Sequence, residues 1–587
     1  MTVNSSQQWS PRTFGNEDLL PRVPLPDLED TCERFLAWCA PLLTAEELAQ
    51  TEAAVADYLR PDSPARELHA ELVRYNETEG VHSWLDTFWP SRYLGRRDRI
   101  ALNANFFFLF KDSDLGQVER AAALTAAAVD YKLRLDDERI PPVLQRGQPL
   151  SMEQNKYLFS ATRIPGLEQD TVRVPYTDEW PGPSQAKHIA VLFRGNIIRL
   201  DVIAPDGRPY SLDGLTEALR ALLTHDRSDT CVGHLTTMAR ADWAATRQAL
   251  AQDNAAALDV VETALFCVCL EDLAPKDTQE ACDHLLHGDS ANRWFDKAVS
   301  LIVFADGRAG INIEHCGLDG TTILAFVDSI LGDEPTAETA PGVPGSEPVE
   351  FILTDALRAE VAAAAKSFAD YAAANATTIV SFDDFGANKA KQLGMSPDAF
   401  AQLAYQLAHK RTKGFTGATY ESIATRQYNR GRTEAMRVVT PEVLAFVEAM
   451  ESGDPDTRRA AFRTAAEKHV ARAKECQAGK APEQHLWELQ LIQKRRGGGE
   501  PLALYDSPGW VTMRDDYLST SSAPSVNIEY FGFGSTSSKC IGVAYVLLPD
   551  RLNLYLSTPV GVADEMYAFA DELKKAVREL QDLLSAG

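Results

Sequence analysis

The segment Ile311-Asn312-Ile313-Glu314-His315-Cys316-Gly317-Leu318-Asp319-Gly320 carries the densest chemistry in the chain. A strand-like run ends in His315, and an acid and a glycine follow at Asp319 and Gly320. An imidazole with a pKa of about 6.5 can take a proton from an alcohol at neutral pH. A carboxylate at Asp319 could fix the ring's orientation or its tautomer, or simply brace the turn. Cys316 stands beside the histidine as a possible nucleophile, but its plainer reading is a small packed side chain. A histidine beside an acid is by itself more often a structural hydrogen-bonding pair than a catalytic one. The surrounding sequence therefore has to decide.

Such a group needs a rigid scaffold, and the periodicity supplies one of mixed α/β type. Asp27 to Leu72 reads as largely helical, with Pro26 as a start signal. Gln117 to Asp136, Pro397 to Lys410 and Thr354 to Asn375 read as further helices. Strand signals are interleaved. His188 to Val202 gives two β-rich runs around Arg194-Gly195-Asn196, and Val299 to Asn312 two more around Asp306-Gly307. Ile541 to Leu548 and Arg551 to Ser557 form a predicted hairpin at Pro549-Asp550. Residues 1–26 are polar and proline-punctuated and predict an extended arm. Asp333 to Pro348 reads as a surface loop, and Gly497-Gly498-Gly499 marks another.

Composition narrows the function classes. At 587 residues the chain is too long for one core, so two domains are expected. With 58 basic against 84 acidic residues the net charge is −26, which argues against non-specific binding to nucleic acid or anionic membrane. An anionic ligand would need a local basic patch. None of the nine cysteines sits at zinc-ligand spacing, and the odd count points to free thiols in a reducing compartment. The polar stretch Met1 to Asn16 is no signal peptide, no apolar run approaches the ~20 residues of a membrane helix, and Ser585-Ala586-Gly587 carries no address. A cytoplasmic location follows as the simplest expectation. The richness in Ala and Arg suggests a bacterial source.

The run Asn292-Arg293-Trp294-Phe295-Asp296-Lys297, leading into His315, resembles the choline/carnitine acyltransferase family. Other landmarks stand in family order: Pro24-Leu25-Pro26-Asp27-Leu28, Asp130-Tyr131-Lys132, Arg163-Ile164-Pro165-Gly166, Trp243-Ala244, Ser396-Pro397-Asp398-Ala399-Phe400, Thr419-Tyr420-Glu421-Ser422, Gly431-Arg432-Thr433-Glu434 and Leu518-Ser519-Thr520-Ser521. The likeness runs from about Pro24 to the C-terminus. It implies two α/β domains, each similar to chloramphenicol acetyltransferase, with the active site in a tunnel between them. On that pattern residues 1–90 are an N-terminal arm and helical segment packing on the C-terminal domain, 91–375 carry the catalytic histidine, and 376–587 bind CoA and the acceptor.

The implied chemistry is direct acyl transfer. His315 deprotonates the acceptor hydroxyl, which attacks the thioester without an acyl-enzyme. No metal or redox cofactor is implied, and the CoA thioester is a substrate. Asp319 accompanies His315, and Ser521 matches a serine that stabilises the tetrahedral intermediate. Ser535-Thr536-Ser537 repeats the triplet, but Leu518 before the first, and its spacing to Pro524 and Phe533-Gly534, favour the first. For CoA, the family has a glycine followed by lysines one and five residues on. Here Gly386 is followed by Ala387, Lys391 takes the later place, and Lys389 stands two residues off the missing position. Asp398 matches a CoA contact. Either CoA binding is weakened by one charge-assisted contact, or the acyl group arrives on a carrier protein, whose phosphopantetheine lacks that phosphate.

The acceptor site departs from the carnitine pattern. Tyr420 and Thr433 match two residues that hold the carnitine carboxylate, but Gln484 stands where the family has arginine. An amide cannot make the bidentate guanidinium–carboxylate pair. Arg495 or Arg496 would have to compensate. Choline enzymes lack the arginine too, although they usually change the threonine as well. Tyr93, Ser519 and Phe533 match other acceptor-pocket positions, Phe533 as a ring near a trimethylammonium. Phe531 falls where glycine opens a long acyl pocket, so its bulk implies short acyl groups. The expected activity is O-acyl transfer to a small, non-carnitine alcohol. The alternatives are a carrier-protein-dependent acyltransferase and a non-catalytic binding relative.

Overall fold

The computed structural model describes residues 9–586. Residues 1–8 and Gly587, on which parts of the signal-peptide and address readings rested, lie outside the described residues. The chain divides into two compact units. Among the described residues, one comprises 9–20, 89–374 and 525–534; the other comprises 21–88, 375–524 and 535–586. The chain passes from one unit to the other at 20/21, 88/89, 374/375, 524/525 and 534/535. Two short segments, residues 9–20 and 525–534, belong to the unit that carries His315 although the rest of that unit lies at 89–374.

The first unit is built on an eight-stranded mixed sheet. Its strand order is Ser346–Pro348, Asn196–Asp201, His188–Phe193, Cys267–Leu270, Val299–Val303, Ala309–Ile313, Phe106–Phe110, Ile528–Phe533. The predicted turns fall where expected. Arg194 and Gly195 both take positive φ (51° and 77°), the pair of left-handed residues that closes a tight hairpin with the right twist. Val299–Val303 and Ala309–Ile313 pair antiparallel across the Asp306-Gly307 turn and deliver the chain to His315. Phe106–Phe110, a run of four aromatics and a leucine, is buried at every position, as a central strand covered on both faces must be. Gln117–Asp136 is helical over the residues predicted. The predicted surface loop ends in the edge strand Ser346–Pro348, which pairs with residues 198–200.

The expected extended arm is folded back over residues 10–20, whereas residues 21–26 carry no helix or turn. Ser10 and Asn16 bond each other reciprocally through main and side chain (2.8 and 2.9 Å), and Glu17–Leu19 forms a 3₁₀ turn. A polar side chain able to reach back to the backbone folds the segment onto itself.

The second unit centres on a six-stranded sheet in the order Asn375–Phe382, Leu552–Pro559, Ile541–Leu547, Leu518–Ser522, Thr419–Ala424, Thr433–Arg437. The hairpin at Pro549-Asp550 is formed as predicted. The early helical stretch resolves into Leu28–Cys39, Ala45–Tyr58 and Pro64–Asn76, each starting after Asp, Thr or Ser. The core lies between the sheet and the helices Pro397–Lys413, Pro455–Gln477 and Ala563–Ser585, where Phe385 stacks on Phe400, Phe400 meets Phe462 edge-on and Phe462 stacks on Phe446. All nine cysteines are free thiols. Among the described residues no helix is long and apolar enough to cross a membrane.

Candidate active site

His315 lies two residues past the end of the Ala309–Ile313 strand, and Asp319 occupies the position before the Gly320–Gly332 helix without capping it through its side chain. The imidazole Nδ1 lies 2.7 Å from the carbonyl oxygen of Leu318 and 3.6 Å from Asp319 Oδ1. A carbonyl can only accept, so Nδ1 carries the proton and the neutral ring has its lone pair on Nε2. The tautomer is thus set by a backbone carbonyl, with the carboxylate one step further out. This differs from the direct Asp319 contact that the sequence suggested, because the turn brings the Leu318 carbonyl round first. The His315 side chain keeps 28% of its exposure, whereas that of Asp319 keeps 4%.

The residues flanking His315 are tied back into the unit. Glu314 points away from the imidazole and pairs with buried Arg163 at 3.1 Å. Arg163 also donates to the Tyr93 carbonyl (2.7 Å) and to Asp170 (2.6 Å). Asp170 is shared with Arg240, which reaches Asp296 at 2.8 Å, and Trp243 donates to the same Asp296. The Arg163, Trp243 and Asp296 landmarks of the sequence are therefore one buried network. Burial would lower the Arg163 pKa, but Glu314 and Asp170 more than offset it and hold the charge.

An aromatic wall surrounds the histidine. The Tyr93 ring lies 4.9 Å from the imidazole and stacks on Trp89, and Phe106 meets the imidazole edge-on at 5.1 Å. Phe531, 6% exposed, packs on Phe106 and Phe108 at 6.1 and 5.4 Å and touches Phe533 at 5.6 Å. Register explains the cluster: Phe106 faces Phe533, and Phe108 faces Phe531 across paired strands. Phe106 was missed in the sequence, although five large apolar residues in a row from 106 were a visible sign of a buried strand.

The second unit gathers the other candidates on one sheet face. Tyr420 pairs with Arg437 and with Ser519, and Ala424 with Thr433. The period of two in a strand then puts Tyr420, Thr433, Ser519 and Ser521 on the same side. The opposite side bears Thr419, Glu421 and Thr520, and the helices hold it. Gln402 donates to Thr520 Oγ1 (2.8 Å), Gln406 to Thr419 (3.1 Å), and Glu421 pairs with His469 (2.8 Å). Ser535 lies outside the strands, its hydroxyl spent on the Ser537 and Cys540 carbonyls.

Gln484 lies in the first turn of the Glu483–Arg495 helix, and its Nε2 donates to the Thr433 carbonyl at 2.8 Å. That partner fixes which end of the amide is nitrogen. Oε1 is buried without a hydrogen-bond partner. Arg437 leans over the Tyr420 ring at 5.6 Å, but its guanidinium is engaged by Glu483 and Asp516. Arg495 is committed to Glu488 and Thr87, and Arg496 to Glu67 and Glu71.

On the CoA side, Lys389 and Lys391 lie on the helix Ala387–Gln392. Two residues on a helix are about 200° apart, so the lysines leave in opposed directions. Asp398 accepts from Tyr545 (2.6 Å) at the start of the next helix. Asp398, Glu421 and His469 bring donor atoms within 4.8 Å of one another, a geometry a cation could use. Burial, then the neighbouring Asp398, push Glu421 upward. Burial alone would lower His469, yet the Glu421 carboxylate beside it raises it.

Residues 23–575 match the sequence pattern of Choline/Carnitine o-acyltransferase. The chain is 31% identical to rat (Rattus norvegicus) mitochondrial carnitine O-palmitoyltransferase 2 over 94% of its own length and 90% of the relative's. It is 29% identical to pigeon (Columba livia) carnitine O-acetyltransferase over 97% of its length and 94% of the relative's. A histidine with its tautomer fixed, set among aromatic rings, in a chain that matches over almost its full span, leads to one statement: the chain belongs to the choline/carnitine O-acyltransferase family and is an acyltransferase.

Proposed function

We propose that the protein transfers a short acyl group from acyl-CoA to the hydroxyl of a small alcohol other than carnitine, with His315 as general base and no acyl-enzyme. The observation that carries this reading is the Nδ1–H bond from His315 to the Leu318 carbonyl, which leaves Nε2 as the base. Proton removal makes the alcohol the nucleophile, and Ser521 is the hydroxyl assigned to the developing oxyanion. Asp319, within 3.6 Å of Nδ1, stabilises the imidazolium formed on the way. Tyr93, Tyr420, Thr433, Ser519 and Phe533 are assigned to the acceptor, and Lys389, Lys391 and Asp398 to CoA.

The relatives' names specify carnitine as acceptor, with palmitoyl or acetyl groups. Two features turn this chain from long-chain carnitine chemistry. Gln484 offers an unpartnered carbonyl oxygen where a carboxylate would need a cation. Phe531 packs tightly with Phe106 and Phe108, which supports a short acyl pocket. A second reading, donation from a carrier protein, is favoured by Ala387, which stands where the family has its first CoA lysine.

Thiol release from acetyl-CoA, palmitoyl-CoA and an acetylated carrier protein, each with choline, L-carnitine and other small alcohols, tests this reading. The expected result is turnover of acetyl-CoA with an uncharged or cationic alcohol ahead of L-carnitine, and little with palmitoyl-CoA. Preference for palmitoyl-CoA, or for carnitine, overturns the corresponding half. Release only from the carrier favours the second reading.

A further inference from the structure

The side chain that holds Asp319 comes from far away in the chain. Gln154, on the 3₁₀ turn Glu153–Tyr157, grips Asp319 twice. Its Nε2 donates to Asp319 Oδ2 at 2.7 Å, and its Oε1 accepts the Asp319 backbone N–H at 2.8 Å. The Thr322 hydroxyl donates to the same Oε1 at 2.8 Å. The backbone N–H can only donate, so the orientation of the amide is fixed and its NH₂ must face the carboxylate. Gln154 is 7% exposed and Asp319 2%. The same turn closes over the histidine loop: a Cβ on Gly317 would lie 2.3 Å from the Tyr157 ring, so only glycine lets the ring approach. The turn is anchored in its own right, because the Glu17 carboxylate accepts from Ser151 and from the Met152 backbone N–H.

We infer that Gln154 is a positioning residue for His315. It holds the Asp319 carboxylate 3.6 Å from Nδ1, close enough to favour the imidazolium, while leaving the Nδ1 proton on Leu318. An unheld carboxylate would turn to take that proton directly. A direct charge-assisted bond favours the protonated ring more strongly, so a smaller share of rings has Nε2 free to accept a proton in the neutral range. The other groups near the ring are accounted for. Glu314 is paired with Arg163, Tyr93 and Cys316 lie alongside, and Glu153 and Lys156 on the clamping turn pair with each other at 2.7 Å. This inference rests on His315 being the base, but its test does not need turnover.

The test is the pH titration of the His315 ring by ¹⁵N NMR on the full chain, its signal identified by absence in His315→Ala. Gln154→Met removes the grip. Gln154→Glu keeps the acceptor for the Asp319 N–H and sets a like charge against the carboxylate. Both should raise the His315 midpoint by about half a unit or more. With acetyl-CoA and the alcohol that wild type uses, the acidic limb of kcat/KM should rise by the same amount, lowering kcat/KM roughly threefold well below the midpoint, with KM for acetyl-CoA within about twofold. Thr322→Val, which removes one bond to Gln154 without touching Asp319, should shift neither midpoint. An unmoved or lowered His315 midpoint in either folded Gln154 variant overturns the inference. Activity in His315→Ala would instead overturn the functional reading while leaving the titration result in force.

Discussion

His315→Ala is expected to lower kcat by ~10²–10⁴-fold, the usual contribution of a positioned general base. The ring keeps about a quarter of its exposure and lies just past the end of a strand, so truncating it removes modest buried apolar surface, and the melting temperature should stay close to wild type. KM for acyl-CoA should change little, since the imidazole's work is done on the acceptor proton. Loss of kcat with intact donor binding marks an interaction made in the transition state. His315→Gln is a useful companion. It can still donate to the Leu318 carbonyl yet cannot accept a proton, so it should be as inactive as alanine. Activity in the glutamine variant within tenfold of wild type would mean that the imidazole orients rather than titrates.

The second large effect is expected at Gln484. Gln484→Arg should lower KM for L-carnitine by ~10–150-fold, corresponding to about 1.5–3 kcal/mol for a charge-assisted hydrogen bond. A guanidinium has five donors, enough to keep the Thr433 carbonyl satisfied and still present a fork to a carboxylate. Its charge would sit next to Glu483 in sequence, which already faces Arg437 and Arg514, so the new cation enters a site with nearby acid. Gln484→Lys should gain less, because an ammonium is a point charge without the matching fork. Turnover of a cationic alcohol should fall in the arginine variant through like-charge repulsion. If KM for carnitine does not respond, some other group holds the carboxylate and Gln484 does not select the acceptor.

Much of the scaffold was legible because it is locally encoded. The Gln117–Asp136 helix and the hairpin turn at Arg194-Gly195 follow from periodicity and turn chemistry within a few residues. His315 was legible because strand, histidine and helix start lie close together in sequence. The unread parts depend on pairing across long separations. Ile528–Phe533 joins the sheet of the histidine-bearing unit by pairing with Phe106–Phe110, more than 400 residues earlier. Alternation announces a strand but does not name its partner. The Leu318 carbonyl was missed because backbone acceptors leave no mark on residue type. Gln154 and Arg163 were missed as site residues for another reason. A lone Gln and an Arg in a Pro-Gly turn show nothing in sequence of the carboxylates they will meet in the fold. Residues 10–20 misled because polar side chains that bond their own backbone look the same in sequence as those that face water.

The central claim, direct transfer to an alcohol through the imidazole, is tested most simply by adding acetyl-CoA to stoichiometric enzyme with no acceptor. Free thiol and the intact mass of the protein are followed together. The prediction is no burst of thiol and no mass gain, then steady thiol release once a usable alcohol is added. A stoichiometric thiol burst with the mass of one acetyl group on the protein would show an acyl-enzyme, with Cys316 beside His315 as the first residue to examine, and would contradict the account.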